Sequence, residues 1–361
     1  MPAPIQNQQE LQFKGYAVED TENWEKFKLI DFQPKPMGEH DVDIKIEFCG
    51  VCGSDVHTIT GGWGKVNLPV IVGHEIVGRV ARVGGAVTEF KVGDRVGVGA
   101  QVCSCGECGL CKSNNEQYCR ELVFTYNDNF RGCGTATQGG YSTAIRTPDR
   151  FVFPIPDGIK LEDAAPLMCG GLTVYSPLVR NGAGPGKKVG VVGIGGLGHM
   201  AIQFAKALGC DEIVAFSHSN SKEKDAMTLG ATKFVATREE GFQKPLLSSL
   251  DFIICTADVA SGVAFKELLE TLVPMGKFVM VALPDDKLPS LERSSLLSSA
   301  FFGGSLLGSK KEALEMLQLA ADKGVKPWIE VMPMSDVSKA VRGLKDGKPR
   351  YRYVLKQDID Q

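Results

Sequence analysis

Three groups of residues in this 361-residue chain have the types and spacing to do chemistry. Cys105, Cys108, Cys111 and Cys119 read C-x2-C-x2-C-x7-C. Spacings this short let a chain turn around one ion, and a zinc ion closed by four thiolates is structural, with no position left for a substrate. Cys103 falls outside the regular spacing and reads as a spare thiol. A loop of reduced cysteines without metal is the plainer alternative. A nucleic-acid-binding zinc module is another, but CSCGECGLCKSNNEQYCRE holds only Lys112 and Arg120 as basic residues, too few to track phosphates.

The second group is dispersed. Cys52 sits in CGVCGSDVH, His74 and Glu75 in VGHE, and Cys169 in MCGG. Two thiolates and one imidazole can hold zinc with its fourth position open to water or a carbonyl oxygen, an arrangement for catalysis. Taken singly, each residue is more often structural. Beside them Ser54 can pass a proton to or from a substrate oxygen, and His57, three residues on, can take or give it near neutral pH. The third group is Gly193-Ile194-Gly195-Gly196-Leu197-Gly198, a G-x-G-x-x-G run between the strand-like KVGVV and a helical stretch. In that context the glycines let backbone approach a pyrophosphate at a helix N-terminus.

About 20 residues past such glycines, an NAD site places Asp or Glu against the ribose 2′-hydroxyl. Here the chain reads Phe216-Ser217-His218-Ser219-Asn220-Ser221-Lys222, with no carboxylate before Glu223. Ser217, Ser219 and Lys222 offer donors and a positive charge, with His218 in support, so NADP(H) is expected. A helix-capping serine cluster explains the serines but not the missing acid.

These groups need elements to position them. From about residue 40 to 155 the chain reads as short β segments punctuated by Gly, Pro and Asp. LEDAAPLMCGGLTVYSPLVR reads as one helix, and then strands (KVGVVG, DEIVAFS, LDFIICTA, KFVMVAL) alternate with helical stretches. That alternation implies βαβ units and a parallel sheet. Ser309 and Glu312 match a capping box for a helix ending at Gly324, and YRYVLK reads as a last strand. The expected fold class is α/β: a β-rich domain over residues 1–168, a doubly wound cofactor domain over 169–306, and a return to the first over 307–361.

Composition bounds the rest. Lys plus Arg is 40 and Asp plus Glu 43, a net charge of −3, which argues against a phosphate-backbone binder. Mean hydropathy is −0.04, and no apolar run approaches the roughly 18 residues of a membrane span. The start, MPAPIQNQQE, lacks the pattern of a secretory signal, so a cytoplasmic location is expected.

CGVCGSDVH, LPVIVGHEIVGRV, GDRVGVGAQVCSCGECGLC, QGGYS, APLMCGGLTVYSPL, VGVVGIGGLGHMAIQFAKALG and RYRYVL follow one another across nearly the whole chain. In that order they resemble the zinc-dependent medium-chain alcohol dehydrogenases, most of all the cinnamyl alcohol dehydrogenase branch with its fungal NADP-dependent members. The resemblance implies a GroES-like catalytic domain, a Rossmann-type cofactor domain, a homodimer, and two zinc ions per subunit. It makes Cys52, His74 and Cys169 the catalytic zinc ligands, with Glu75 able to approach the metal. It makes Cys105, Cys108, Cys111 and Cys119 the structural ligands and leaves Cys49 out. Asp55 resembles the carboxylate that orients His74, and Thr173 a residue near the cofactor phosphates. His218 departs from the arginine of the similar fungal enzymes, which bears on NADP preference. Trp63 and Phe124, with Phe301 or Phe302, match pocket-lining positions that favour apolar aldehydes. The implied activity is NADPH-linked reduction of aromatic and medium-chain aldehydes to primary alcohols, with Ser54 and His57 as proton relay. An NAD-linked polyol or secondary-alcohol dehydrogenase of the same fold is the enzymatic alternative. A non-catalytic NADPH- or zinc-binding protein is the other.

Overall fold

The computed structural model describes residues 11–259, 262–285, 287–288, 293 and 299–360. The chain divides into two units: Met1–Cys169 with Ser309–Ala321 and Pro327–Gln361, and Gly170–Gly308 with Asp322–Lys326.

The first unit opens with the antiparallel pair β1 (Lys14–Val18) and β2 (Phe27–Asp31). In β3 (Asp41–Gly50) Val42, Ile44 and Ile46 are fully buried at every second position, the period of a strand with one face in a core. Truncating Ile44 or Ile46 to Ala costs about 2–5 kcal/mol. After β3 the chain turns at once into the short helix α1 (Gly53–Ile59). β4 (Glu75–Val83) returns antiparallel along β3, and β5 (Arg95–Val98) pairs with β4. A small excursion follows: β6 (Gln101–Cys103), the one-turn α2 (Gly109–Lys112) and β7 (Val123–Phe124). β8 (Ala144–Pro148) lies on β3 and β9 (Val152–Pro154) on β5. The unit's first part ends in α3 (Leu161–Ala164) and a 3-10 turn, Ala165–Met168.

The second unit starts with α4 (Gly170–Arg180). Strands and helices then alternate: β10 (Lys188–Val192), α5 (Gly198–Ala207), β11 (Glu212–Ser217), α6 (Glu223–Leu229), β12 (Lys233–Ala236), β13 (Leu250–Cys255), α7 (Phe265–Glu270), β14 (Leu272–Met280) and β15 (Phe301–Gly304). All pairings are parallel, in the order β12-β11-β10-β13-β14-β15. This is a doubly wound sheet whose topological switch lies beside β10, where such sheets take their ligands. Phe216, Ile253 and Phe278 are fully buried in its core.

The chain closes with α8 (Lys310–Lys323), β16 (Ile329–Pro333), α9 (Val337–Lys345) and β17 (Arg352–Lys356). The larger sheet of the first unit then runs β16-β17-β3-β4-β5-β9, with β8 also on β3. The capping box at α8 is formed: the Ser309 amide donates to Glu312 Oε2 at 2.8 Å and the Glu312 amide to Ser309 Oγ at 3.2 Å. Among the described residues no helix is long and apolar enough to cross a membrane.

One expectation needs correction, and one strand goes beyond the expected set. The single helix read over LEDAAPLMCGGLTVYSPLVR is broken. Cys169, at φ −123° and ψ −66°, separates the 3-10 turn from α4. Apolar periodicity runs through the break, and the pattern alone cannot register one residue leaving helical geometry. β15 was not anticipated either, because Phe301-Phe302-Gly303-Gly304 is exposed on the edge of the sheet and lacks a buried face to pattern it.

Candidate active site

The ligand atoms of Cys52, His74 and Cys169 lie within 4.8 Å of one another, and all three residues are buried. Each comes from a place where regular structure stops. Cys52 is the N-cap of α1, delivered by β3. His74 sits in the turn before β4, behind Gly73 at φ +99°. A Cβ on Gly73 would lie 2.6 Å from the Tyr141 ring, so that turn tolerates only glycine. Cys169 is the residue at the helix break.

Asp55 ties two of these places together. It is fully buried and accepts three hydrogen bonds, from the Cys52 amide (2.9 Å), the Gly73 amide (3.0 Å) and the Tyr141 hydroxyl (2.8 Å). Burial pushes its pKa up, but these donors and His74 oppose that. Asp55 also faces the imidazole: its Oδ1 lies 3.6 Å from His74 Nδ1, within ion-pair distance, and the Tyr126 hydroxyl is 3.0 Å from the same nitrogen. Tyr126 also stacks on the His74 ring, with centroids 5.4 Å apart. With Nδ1 engaged, Nε2 is buried without a hydrogen-bond partner, an expensive state for a ring nitrogen unless a metal takes it.

The two thiols are unlike. Hydrogen bonding from Cys169 holds Cys52 well below the ordinary thiol range, while sharing that bond and burial push Cys169 well above it. Burial alone would lower His74, but Asp55 and Cys52 outweigh it and raise it to about 9. Negative charge and imidazole thus share one dry space, the donor set that suits zinc. Glu75 begins β4 and makes a buried ion pair with Arg352 of β17. Burial raises Glu75 to about 7 despite that partner.

Ser54 lies in the first turn of α1, its Oγ 3.7 Å from Cys52 Sγ. His57 follows one turn later on the same face and stacks on Trp63, with centroids 4.8 Å apart and planes 8° from parallel. Trp63 and Phe124 are each 42% exposed. Cys49 stays apart: its thiol is buried against Gly50 O, and burial holds it protonated. Phe301 and Phe302 lie on β15, where Phe302 packs on Phe278 and Phe265.

Cys105, Cys108, Cys111 and Cys119 gather around α2 with sulfur separations of 3.5, 3.8 and 3.9 Å. Tetrahedral zinc with Zn–S of about 2.3 Å places sulfurs about 3.8 Å apart, so the cluster fits the ion. The Cys108 amide donates to Cys105 Sγ and the Glu121 amide to Cys119 Sγ, both at 3.3 Å. The donors on Cys105 pull its thiol down to about 6. Cys103 is outside the cluster.

In the second unit the three glycines at the ends and middle of the motif do different work. Gly193 turns at φ +84°, a Cβ on Gly195 would meet nothing within 4 Å, and a Cβ on Gly198 would collide with Gly193 O. The open face at Gly195 and the N-terminus of α5 fit a pyrophosphate. Gly196 and Leu197 complete the turn between them. His199, whose ring contacts Gly195 O at 3.2 Å, and the Thr256 hydroxyl, donating to Gly193 O at 2.7 Å, hold that turn. Thr173 is buried in the first turn of α4, which packs on α5. Ser217 ends β11; Ser219 Oγ is 3.1 Å from Ser221 Oγ. Lys222 donates to Ile194 O at 2.6 Å, and Arg238 Nε donates to His218 Nε2 at 2.8 Å.

Sequence reasoning missed Tyr126, Tyr141, Arg352, His199 and Arg238. Tyr141, Arg352 and His199 fall inside the segments QGGYS, RYRYVL and VGVVGIGGLGHMAIQFAKALG that carry the family resemblance, the one trace the sequence holds of them.

Residues 38–157 match the family model described as the alcohol dehydrogenase GroES-like domain, and residues 196–322 match that of the zinc-binding dehydrogenases. NADP-dependent alcohol dehydrogenase 6 of Saccharomyces cerevisiae is 43% identical over 95% of this chain and 96% of its own length. A probable mannitol dehydrogenase of Mesembryanthemum crystallinum is 41% identical over 94% and 93%. Among solved structures, a cinnamyl alcohol dehydrogenase of Sorghum bicolor is 38% identical with a TM-score of 0.91, covering 97% of this chain and all of that one.

Proposed function

The chain belongs to the zinc-binding alcohol dehydrogenase family, and from that premise we propose that it is an NADP(H)-linked reductase of aromatic and medium-chain aldehydes. One observation carries the zinc chemistry: a buried, partnerless His74 Nε2 in the same space as the Cys52 and Cys169 thiols. When bound, zinc supplies Lewis-acid polarisation of a carbonyl and the reduced nicotinamide supplies hydride.

The chain's own residues do the rest. Cys52, His74 and Cys169 hold the catalytic ion; Asp55 and Tyr126 keep two of these ligands in place. Ser54, one turn from His57, passes the proton that the new alcohol needs, and His57 exchanges it with solvent. Trp63 orients the His57 ring by stacking and, with Phe124, offers an apolar wall that favours aldehydes of aromatic or alkyl character over polyols. Glu75, paired with Arg352, stands by as an alternative oxygen ligand. The second zinc belongs to Cys105, Cys108, Cys111 and Cys119. The turn Gly193–Gly198 receives the pyrophosphate with Thr173 nearby, and Ser217, His218, Ser219 and Lys222 receive the 2′-phosphate. The exposed edge strand β15 supports a homodimer built through the second unit's sheet.

An absorbance assay of cinnamaldehyde and hexanal reduction with NADPH against NADH, and of mannitol oxidation with NADP+ against NAD+, each with and without a chelator, tests this reading. Chelator-sensitive aldehyde reduction with NADPH is expected. Mannitol oxidation with NAD and no aldehyde activity would overturn it, as would pure active protein without zinc.

A further inference from the structure

The end of β11 and the loop after it offer a 2′-phosphate a lysine, three serines and a histidine, but no guanidinium. The neighbouring strand provides one. β11 and β12 run parallel with Ser217 opposite Ala236, and the Thr237 amide donates to Ser217 O at 2.8 Å. The two chains therefore leave the sheet side by side, and Arg238 emerges next to His218. Its Nε donates to His218 Nε2 at 2.8 Å.

That single bond settles what each side chain has left. A ring nitrogen accepting from a guanidinium carries no proton of its own, so the imidazole keeps one donor, Nδ1–H. Arg238 has spent Nε–H and retains the four N–H groups of its two terminal nitrogens, in the fork geometry that matches phosphate oxygens. Among the described residues no acidic side chain lies in ion-pair contact with Arg238, so its charge is not already neutralised. Lys222, at the far end of that loop, already spends one N–H on Ile194 O at 2.6 Å and offers the phosphate a point charge without a fork.

We propose that Arg238 is the guanidinium that binds the cofactor 2′-phosphate, and that it aligns His218 as a neutral second donor beside it. This rests on the NADP(H) reading above. The histidine that departs from the arginine expected at residue 218 is then a spacer, with the charge restored from one strand further along the sheet.

Titration calorimetry with 2′,5′-ADP and 5′-AMP tests this without turnover, because the two nucleotides differ only in the 2′-phosphate. The wild-type protein should bind 2′,5′-ADP at least about tenfold more tightly, the scale of a charged hydrogen bond. Arg238→Ala should weaken 2′,5′-ADP by about tenfold and leave 5′-AMP within about twofold. Arg238→Lys, which keeps charge but not the fork, should recover part of the loss. His218→Ala should lose less than Arg238→Ala. Unchanged 2′,5′-ADP binding by Arg238→Ala alongside a large loss in Lys222→Ala would overturn the assignment and leave the NADP(H) reading standing. A wild-type protein that does not distinguish the two nucleotides would remove both. Arg238 is exposed, so its variants should keep the wild-type melting temperature.

Discussion

The four sulfurs of the cysteine knot come from one short stretch, Cys105 to Cys119, and their ordering amides come from Cys108 within it and Glu121 just after it. The trio of Cys52, His74 and Cys169 draws on an N-cap, a pre-strand turn and a helix break that only the folded sheet brings together. The knot is a local loop whose four thiolates a zinc ion would close. The trio needs the structure before it can be a metal site. Ligand chemistry is nearly the same in both, so the difference in how the ligands are held separates a scaffold ion from a reactive one.

Removing one ligand from each site gives the sharpest test. Cys169→Ser should lower turnover by about a thousandfold, the scale of several kcal/mol of Lewis-acid stabilisation at about 1.4 kcal/mol per tenfold. Its melting temperature should hardly move, and elemental analysis should find one zinc per chain rather than two. Equal thermal loss in this variant would erase the distinction. Cys108→Ser should reverse the pattern: a fall of about 10 °C in melting temperature, from a few kcal/mol of lost metal-linked stability, with kcat nearly intact below the transition. Inactivation at temperatures where it remains folded would break the comparison from the other side.

Smaller changes probe the support around the trio. Asp55→Asn keeps the shape but alters what the Cys52 amide, the Gly73 amide and Tyr141 meet, so zinc affinity and kcat should each fall by about 10–100-fold. A competition titration against a chelator reads the affinity directly. Tyr126→Phe removes the hydroxyl that meets His74 Nδ1 and Asp55 and should cost about tenfold in zinc affinity, with the knot's zinc retained. No change in chelator competition would mean that ring stacking alone orients the imidazole.

The same contrast governs what could be read from the chain before folding. The knot is legible because its chemistry is local: cysteine spacing is the structure. The glycine turn is legible because strand, turn and helix follow one another, and the alternation of strands and helices announces the parallel sheet. Around the trio the ligands could be named, but not what holds them. Tyr141 reaches Asp55 across 86 residues, Tyr126 reaches His74 across 52, and Arg352 reaches Glu75 across 277. No periodicity records such contacts. The break at Cys169 was hidden for a related reason, since the apolar pattern suits a helix on both sides of it. Arg238 leaves no sequence signal because its partner His218 follows the neighbouring strand, at a register that only sheet pairing defines.

A carboxylate satisfied by donors from residues 52, 73 and 141 acts as a coincidence requirement on folding. Until all three segments have arrived, burying Asp55 is uphill, and once they have it is held from every side. The zinc pocket should therefore assemble in one cooperative step, and hydrogen exchange at the amides of Cys52 and Gly73 should report a common opening energy rather than two separate ones.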